Sequence, residues 1–229
     1  LGFVGAHEWR RRGVEVPALG ARVHPHYGVY APVRGEYVDL VAEAAASWPV
    51  AGKRAFDVGT GTGVLAFVLA RAGAQVVATD QEPRALACAR DNAARLGLAG
   101  SVEVVEADLF PPGAADLVVS NPPWLPAPAA SPLERAVYDP GGRFLERLVL
   151  GLRERLLPGG EAWIVLSDLA ERLGLRPAGH LEALAAQGGL RLSDVRTRRP
   201  SHPRAADLGD PLHAARSREE TRLFRLVPA

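Results

Sequence analysis

The sequence has 229 residues, 48% hydrophobic and 23% charged, with a formal net charge of +1. That is long enough for one domain with a full core, too apolar for a disordered or fibrous chain, and too balanced for a global field that would draw it to nucleic acid or a membrane. No apolar run approaches the ~18 residues that cross a bilayer, no signal peptide opens the chain, and a single cysteine, Cys88, excludes internal disulfides and points to a reducing, cytoplasmic compartment.

The first 35 residues are irregular, with an Arg10-Arg11-Arg12 cluster and a turn-rich His24-Pro25-His26-Tyr27-Gly28 stretch. The absence of methionine and the opening Leu1-Gly2-Phe3-Val4 suggest a piece of a longer protein. Residues 1–35 therefore read as an extension or a junction to an upstream domain, and 36–229 as one domain. The 26 arginines against the single lysine, Lys53, reflect GC-rich coding more simply than guanidinium chemistry.

From residue 36 the elements alternate. A helix is expected over 36–47, a strand over 54–57 and a helix over 64–72, then a strand over 75–80 and a proline-led helix over 83–98. Strands follow at 102–106 and 115–120. After a Pro/Ala loop over 122–132, a helix over 143–157 stops at Pro158-Gly159-Gly160. A strand at 162–167, a helix at 181–187 and closing strands at 190–197 and 221–227 complete the pattern. This alternation predicts a doubly wound α/β fold with a seven-stranded, mostly parallel sheet and an antiparallel edge.

Phe56-Asp57-Val58-Gly59-Thr60-Gly61-Thr62-Gly63 joins the first of these strands to a helix. Its glycines let backbone approach a ligand, and the helix N-terminus favours an anionic group. The spacing Gly61, Gly63, Ala66, with Asp80 downstream, also satisfies a loose dinucleotide pattern, which keeps an NAD(P)-dependent oxidoreductase open. Asp57 argues against it: a carboxylate before the turn repels pyrophosphate and attracts an ammonium or sulfonium. A purely structural cap of the turn is the alternative for Asp57. Asp80 ends the next strand, where it can accept from a ribose diol, and Asp108 ends the third, where it can accept from an adenine amino group. The fourth strand runs into Asn121-Pro122-Pro123-Trp124. There the Asn121 side chain and the Pro122 main chain offer two carbonyls to one planar –NH₂, and Trp124 offers a flat face. A plain proline turn with a buried Trp is the bland alternative.

These motifs resemble the class I S-adenosylmethionine-dependent methyltransferases, and within them the Asn-Pro-Pro-aromatic branch of release-factor glutamine and nucleobase amino-methyltransferases. The resemblance spans about residues 28–168. It implies a Rossmann-like methyltransferase fold and S-adenosyl-L-methionine as cofactor, held at its methionine portion by Asp57, Gly59, Thr60, Gly61 and Gly63. Asp80 and Gln81 would serve the ribose, Asp108 and Leu109 the adenine. Asn121 and Pro122 would orient the target nitrogen with Trp124 beside it, Asn121 also bordering the cofactor. Tyr30 and Arg34 would form a cofactor lid, since residues 29–37 loosely match the family's Pro-Arg-Pro-Glu stretch. Tryptophan stands where the family usually has Tyr or Phe. The expected acceptor is an amide or amino nitrogen of a protein glutamine or a nucleobase, with a small-molecule acceptor and a non-catalytic binding subunit as the rival readings.

Other features carry less. His24 and His26 lack a third metal ligand of suitable spacing, so no metal is expected. Cys88 reads as a small buried residue. The stretch Arg191, Arg196, Arg198, Arg199, His202, Arg204 could meet phosphates, but Asp194, Asp207 and Asp210 favour a solvated or substrate-capping loop. Tyr138 to Arg143 is a secondary candidate for acceptor contacts.

Overall fold

The computed structural model describes residues 3–127, 137–200 and 213–229. The chain opens with α1 (Phe3–Arg12) and a short hairpin of β1 (Val14–Val16) and β2 (Ala21–Val23), neither of which the sequence pattern announced. Arg10, Arg11 and Arg12 form the last turn of α1, where cations complement the helix dipole. The hairpin is not detached: Val16, Leu19 and Val23 share one core cluster with α2 (Glu36–Ser47) and α3 (Val64–Arg71). On α2, Tyr37, Val38, Leu40, Val41, Ala44 and Ala45 are buried, the i, i+3, i+4 stripe of a helix lying on a core.

The main sheet contains β3 (Arg54–Val58), β4 (Gln75–Asp80), β5 (Val102–Glu106), β6 (Ala115–Ser120), β7 (Leu156–Ser167), β8 (Leu190–Arg198) and β9 (Thr221–Pro228). Its spatial order is β5-β4-β3-β6-β7-β9-β8. The first five are parallel, and β9 runs antiparallel to both β7 and β8. The expected antiparallel edge is thus the β8–β9 pair, with β8 outermost. Helices cover both faces, so central strands are apolar on both sides: Ala55, Phe56 and Val58 of β3 are fully buried. One core lies toward α2 and α3, the other toward α5 (Arg143–Gly151) and α7 (His180–Gln187). Helix α4 (Pro83–Arg95) joins β4 to β5, α6 (Leu169–Arg172) follows β7, and α8 (His213–Arg216) precedes β9.

One expectation fails in an informative way. The helix expected over 143–157 ends at Gly151, passes through a 3-10 turn (Leu152–Arg155), and gives way to β7 at Leu156. Gly151 lies so close to Phe110 that a Cβ would sit 2.8 Å from its ring. Pro158-Gly159-Gly160, read as a helix stop, is an irregularity inside β7, because pairing shifts between Ala115↔Leu156 and Leu117↔Glu161. The helix expected to reach 98 likewise ends as α-helix at Arg95. Cys88 is buried, and burial pushes its thiol up to about 11, consistent with a packing role.

Candidate active site

The carboxyl ends of β3, β4, β5 and β6 carry the residues singled out in the sequence, and parallel pairing brings those ends to one edge of the sheet. Three glycines after β3 take left-handed backbone, Gly59 at φ 74°, Gly61 at φ 55° and Gly63 at φ 90°. Gly63 is required by packing, since a Cβ would fall 2.3 Å from the Phe67 ring. At Gly61 a Cβ would enter open space, which leaves the backbone there accessible to a ligand.

Asp57 is buried, and its Oδ2 accepts from Thr60 Oγ1 at 2.6 Å and from Ala66 N at 3.0 Å. It therefore does cap the glycine turn and the first turn of α3, the role weighed against ligand binding. Burial nonetheless raises its pKa to about 6, against the Thr60 and Ala66 hydrogen bonds and with a further push from Asp80. A buried carboxylate so held gains from a nearby cation. Asp80 accepts from Gly61 N through Oδ2 and from Glu82 N through Oδ1, both at 3.0 Å. Desolvation raises its pKa as well, with those backbone donors opposing.

Asp108 is exposed and already engaged. Arg147 on α5 bonds its Oδ2 at 2.6 Å and its Oδ1 at 3.3 Å, and Gln81 Nε2 donates to Oδ1 at 2.6 Å. Both partners of the Asp108–Arg147 pair are 56% exposed, so the pair is weak enough for a ligand to displace. Next to it Leu109 is the non-glycine residue with positive φ, 74°, among the described residues. Its carbonyl is pinned by Thr79 Oγ1 at 2.6 Å. Strain in a non-glycine residue at a strand end is a common mark of a site.

At the end of β6, Ser120 Oγ donates to the Val58 carbonyl at 2.7 Å, locking β6 to β3 just before the motif. Trp124 Nε1 donates to Asn121 Oδ1 at 2.8 Å. The guanidinium of Arg34 lies over the Trp124 ring, 4.7 Å from its centroid, within cation–π range. One face of Trp124 is thus covered by Arg34 and its indole edge is tied to Asn121. Arg34, expected in a cofactor lid, has its described contacts with Trp124, Glu36, Glu219 and Thr221. It pairs with buried Glu36 at 2.6 Å and buried Glu219 at 3.0 Å. Burial works to lower the Arg34 pKa, but Glu219 and Glu36 carry it upward. Tyr30 stands near Tyr37, whose hydroxyl is pushed far up, first by burial and then by Tyr30, Asp57 and Glu36.

Several contributors were not singled out in the sequence. Arg147 reaches Asp108 across 39 positions, and Thr79 pins a carbonyl 30 positions away; no local spacing signals either. Asp139 lies in the Tyr138 to Arg143 stretch read as a secondary candidate for acceptor contacts, and its described bonds are structural. It is buried and caps α5 through Phe144 N at 2.9 Å and Leu145 N at 3.1 Å. The arginine stretch, read as a loop, begins inside β8, which holds Arg191, Arg196 and Arg198; there Arg198 pairs with Asp39 and Glu43, and Arg196 with Asp194. His202, Arg204, Asp207 and Asp210 lie outside the described residues.

Residues 39–172 match the model of the methyltransferase small domain. The chain belongs to that family. Its methyl donor is S-adenosyl-L-methionine. Among curated proteins it is 36% identical over 156 residues to the release factor glutamine methyltransferase of Cereibacter sphaeroides, covering 62% of this chain and 54% of that one. It is 36% identical over 126 residues to the ribosomal protein L11 methyltransferase of Symbiobacterium thermophilum, covering 54% and 41%. The crystal structure of the ribosomal protein L11 methylase from Lactobacillus delbrueckii subsp. bulgaricus shares the fold, with a TM-score of 0.59, 18% identity, and 90% and 84% coverage. The chain spans between 30% and 62% of the length of curated relatives such as these, and 54% of the first of them. No helix among the described residues is long and apolar enough to cross a membrane.

Proposed function

We propose that this chain is the transfer domain of a protein methyltransferase that modifies the side-chain amide nitrogen of a glutamine; its relatives include release factor glutamine methyltransferases. We place it in the cytoplasm beside the translation machinery on which those relatives act. The carrying observation is the Asn121 carbonyl, which already accepts a planar N–H, the Trp124 indole, at 2.8 Å. A primary amide offers the same kind of donor. The first 35 residues, with the hairpin packed on the core, would join residues 36–229 to a further substrate-binding part.

The residues present fit the cofactor: the open approach at Gly61, the buried Asp57 carboxylate, and acids at the ends of β4 and β5. Asp57 and the Gly59–Gly63 turn would hold its methionine portion, Asp80 and Gln81 its ribose, Asp108 and Leu109 its adenine. S-adenosyl-L-methionine supplies an activated methyl on a sulfonium. The protein's part is then placement and electrostatics. Asn121 Oδ1 and the Pro122 carbonyl would accept the two amide hydrogens and fix the nitrogen in line, the orientation contribution. They would also stabilise positive charge as it grows on those N–H groups, which an amide needs because its lone pair is delocalised. The second lone pair of Asn121 Oδ1 can serve the acceptor while Trp124 holds the first.

Incubation of the protein with a bacterial release factor and S-adenosyl-L-methionine should add one methyl to a glutamine, read by mass spectrometry of peptides. Asn121→Ala should abolish the transfer while calorimetry finds S-adenosylhomocysteine still bound. Unchanged turnover in that variant sinks the assignment. Methylation of an oligonucleotide in place of the protein would move the acceptor to the nucleobase reading.

A further inference from the structure

Away from the strand ends, α1, the exit of β2 and the last turn of α4 enclose a cavity of about 270 Å³. His7, Arg10, Arg11, His24, His26 and Arg95 line it, all of them basic. Many arginines elsewhere in the molecule are matched with acids, as Arg225 is with Glu161 and Arg222 with Asp168, while others such as Arg90 and Arg155 rest on backbone carbonyls. Here the matching is incomplete. Arg11 pairs with Glu8 and His26 with Asp91, but Arg10 and Arg95 have no carboxylate partner among the described residues. His26 reports the surplus: its imidazole is held below the usual range by burial first and then by the Arg10 charge, with Asp91 opposing and Arg95 adding.

The cavity is also built. His24 N donates to Asn92 Oδ1 at 2.8 Å, and the Asn92 amide returns a bond to the His24 carbonyl at 3.2 Å. His24 Nδ1 is fixed on the Arg10 carbonyl at 2.9 Å. Gly13 must be glycine for this wall to close, since a Cβ would meet His24 Nε2 at 2.9 Å. Like charges are gathered into a concavity whose volume lies near the lower end for ligand sites. A guanidinium fork suits phosphate oxygens, two at a time.

We propose that this cavity is an anion site that binds a phosphate group, carried either by a polynucleotide backbone or by a free phosphate compound. Arg10 and Arg95 supply the guanidinium contacts, and His24 and His26 the flanking ring nitrogens. The site is distinct from the proposed cofactor crevice, since none of its lining residues is among those at the β3, β4, β5 and β6 strand ends. It is nonetheless linked to that crevice: the Asn92 amide that holds His24 also reaches the Thr62 carbonyl in the glycine turn, at 3.3 Å.

The test compares the unmodified protein, the Arg10→Ala/Arg95→Ala double variant and an Arg198→Ala control at constant ionic strength. Sodium phosphate is titrated by calorimetry and a labelled ten-nucleotide single-stranded RNA by fluorescence anisotropy. The unmodified protein and the control should bind at least one of the two, and the double variant at least tenfold more weakly, with S-adenosylhomocysteine affinity and Tm unchanged. RNA binding whose salt slope drops by about one or two in the double variant identifies a backbone ligand. Phosphate binding with no gain from the RNA identifies a free phosphate compound. Absence of both, or equal binding by the double variant, overturns the proposal, and neither result depends on which acceptor is methylated.

Discussion

Asp57 is a carboxylate with 1% of its surface exposed, and its folded-state pKa of about 6 lies above the ordinary 3.8. The folded protein therefore keeps a proton that the unfolded chain has lost between those values, so the ionised group works against the fold at neutral pH. Stability should rise as pH falls from 7 through 6 toward 4, by at most about 3 kcal/mol from this group. Affinity for S-adenosyl-L-methionine should fall over the same interval, because protonation removes the charge that attracts a cation. Asp57→Asn should flatten both profiles; urea midpoints and calorimetry from pH 5 to 8 would read them, and a cofactor affinity indifferent to pH contradicts the role. At Trp124 a separate outcome is expected. Trp124→Phe keeps a ring beneath Arg34 but loses the N–H that holds Asn121, so turnover should drop about tenfold, the equivalent of one hydrogen bond, with cofactor affinity unchanged. The acids at strand tips were legible because a strand end is a local feature. The indole–amide bond was not, because a sequence names the Trp without saying which edge it turns inward.

Among the elements, the glycine turn between β3 and α3 separates folding from binding. Gly63→Ala combines a left-handed φ of 90° with a Cβ 2.3 Å from Phe67, and should cost about 2–4 kcal/mol in denaturant unfolding. Gly61→Ala meets no atom within 4 Å. It should lower stability by about 1–2 kcal/mol, the price of φ alone, while weakening S-adenosylhomocysteine at least tenfold because its methyl enters the approach. Equal loss of stability at the two positions would contradict this division. The main sheet was legible in order and number because each strand is a short apolar run between turn signals. Helix α5 was overextended because Leu152 and Leu156 keep helical spacing, while the pairing of Leu156 with Ala115 is a long-range contact. The first hairpin escaped notice for a related reason: three-residue strands are too short for alternation to register, and tertiary burial of Val16 and Val23 holds them.

Across the whole molecule, Arg34 gathers distant parts: the segment before α2, the Asn121–Trp124 loop, and the start of β9 through Glu219 and Thr221. Ser167 at the end of β7 joins it through Glu219 at 2.5 Å. Arg34→Ala would leave two buried carboxylates facing each other without their cation, and should cost about 3–5 kcal/mol in urea unfolding; a loss under about 1 kcal/mol would show that the cluster relaxes. Glu219 and Thr221 also mark where β9 enters, and β9 is inserted between β7 and β8 although it is last in sequence. A ribosome making this chain in order releases β7 and then β8 with an empty lane between them. The two cannot pair with each other in their native places, so the second core waits on Phe224 and Leu226 and the first on Leu223. Until residue 228 has cleared the exit tunnel, β7 and β8 each present an unpaired edge where β9 will lie, the kind of surface that invites wrong pairing in a nascent chain.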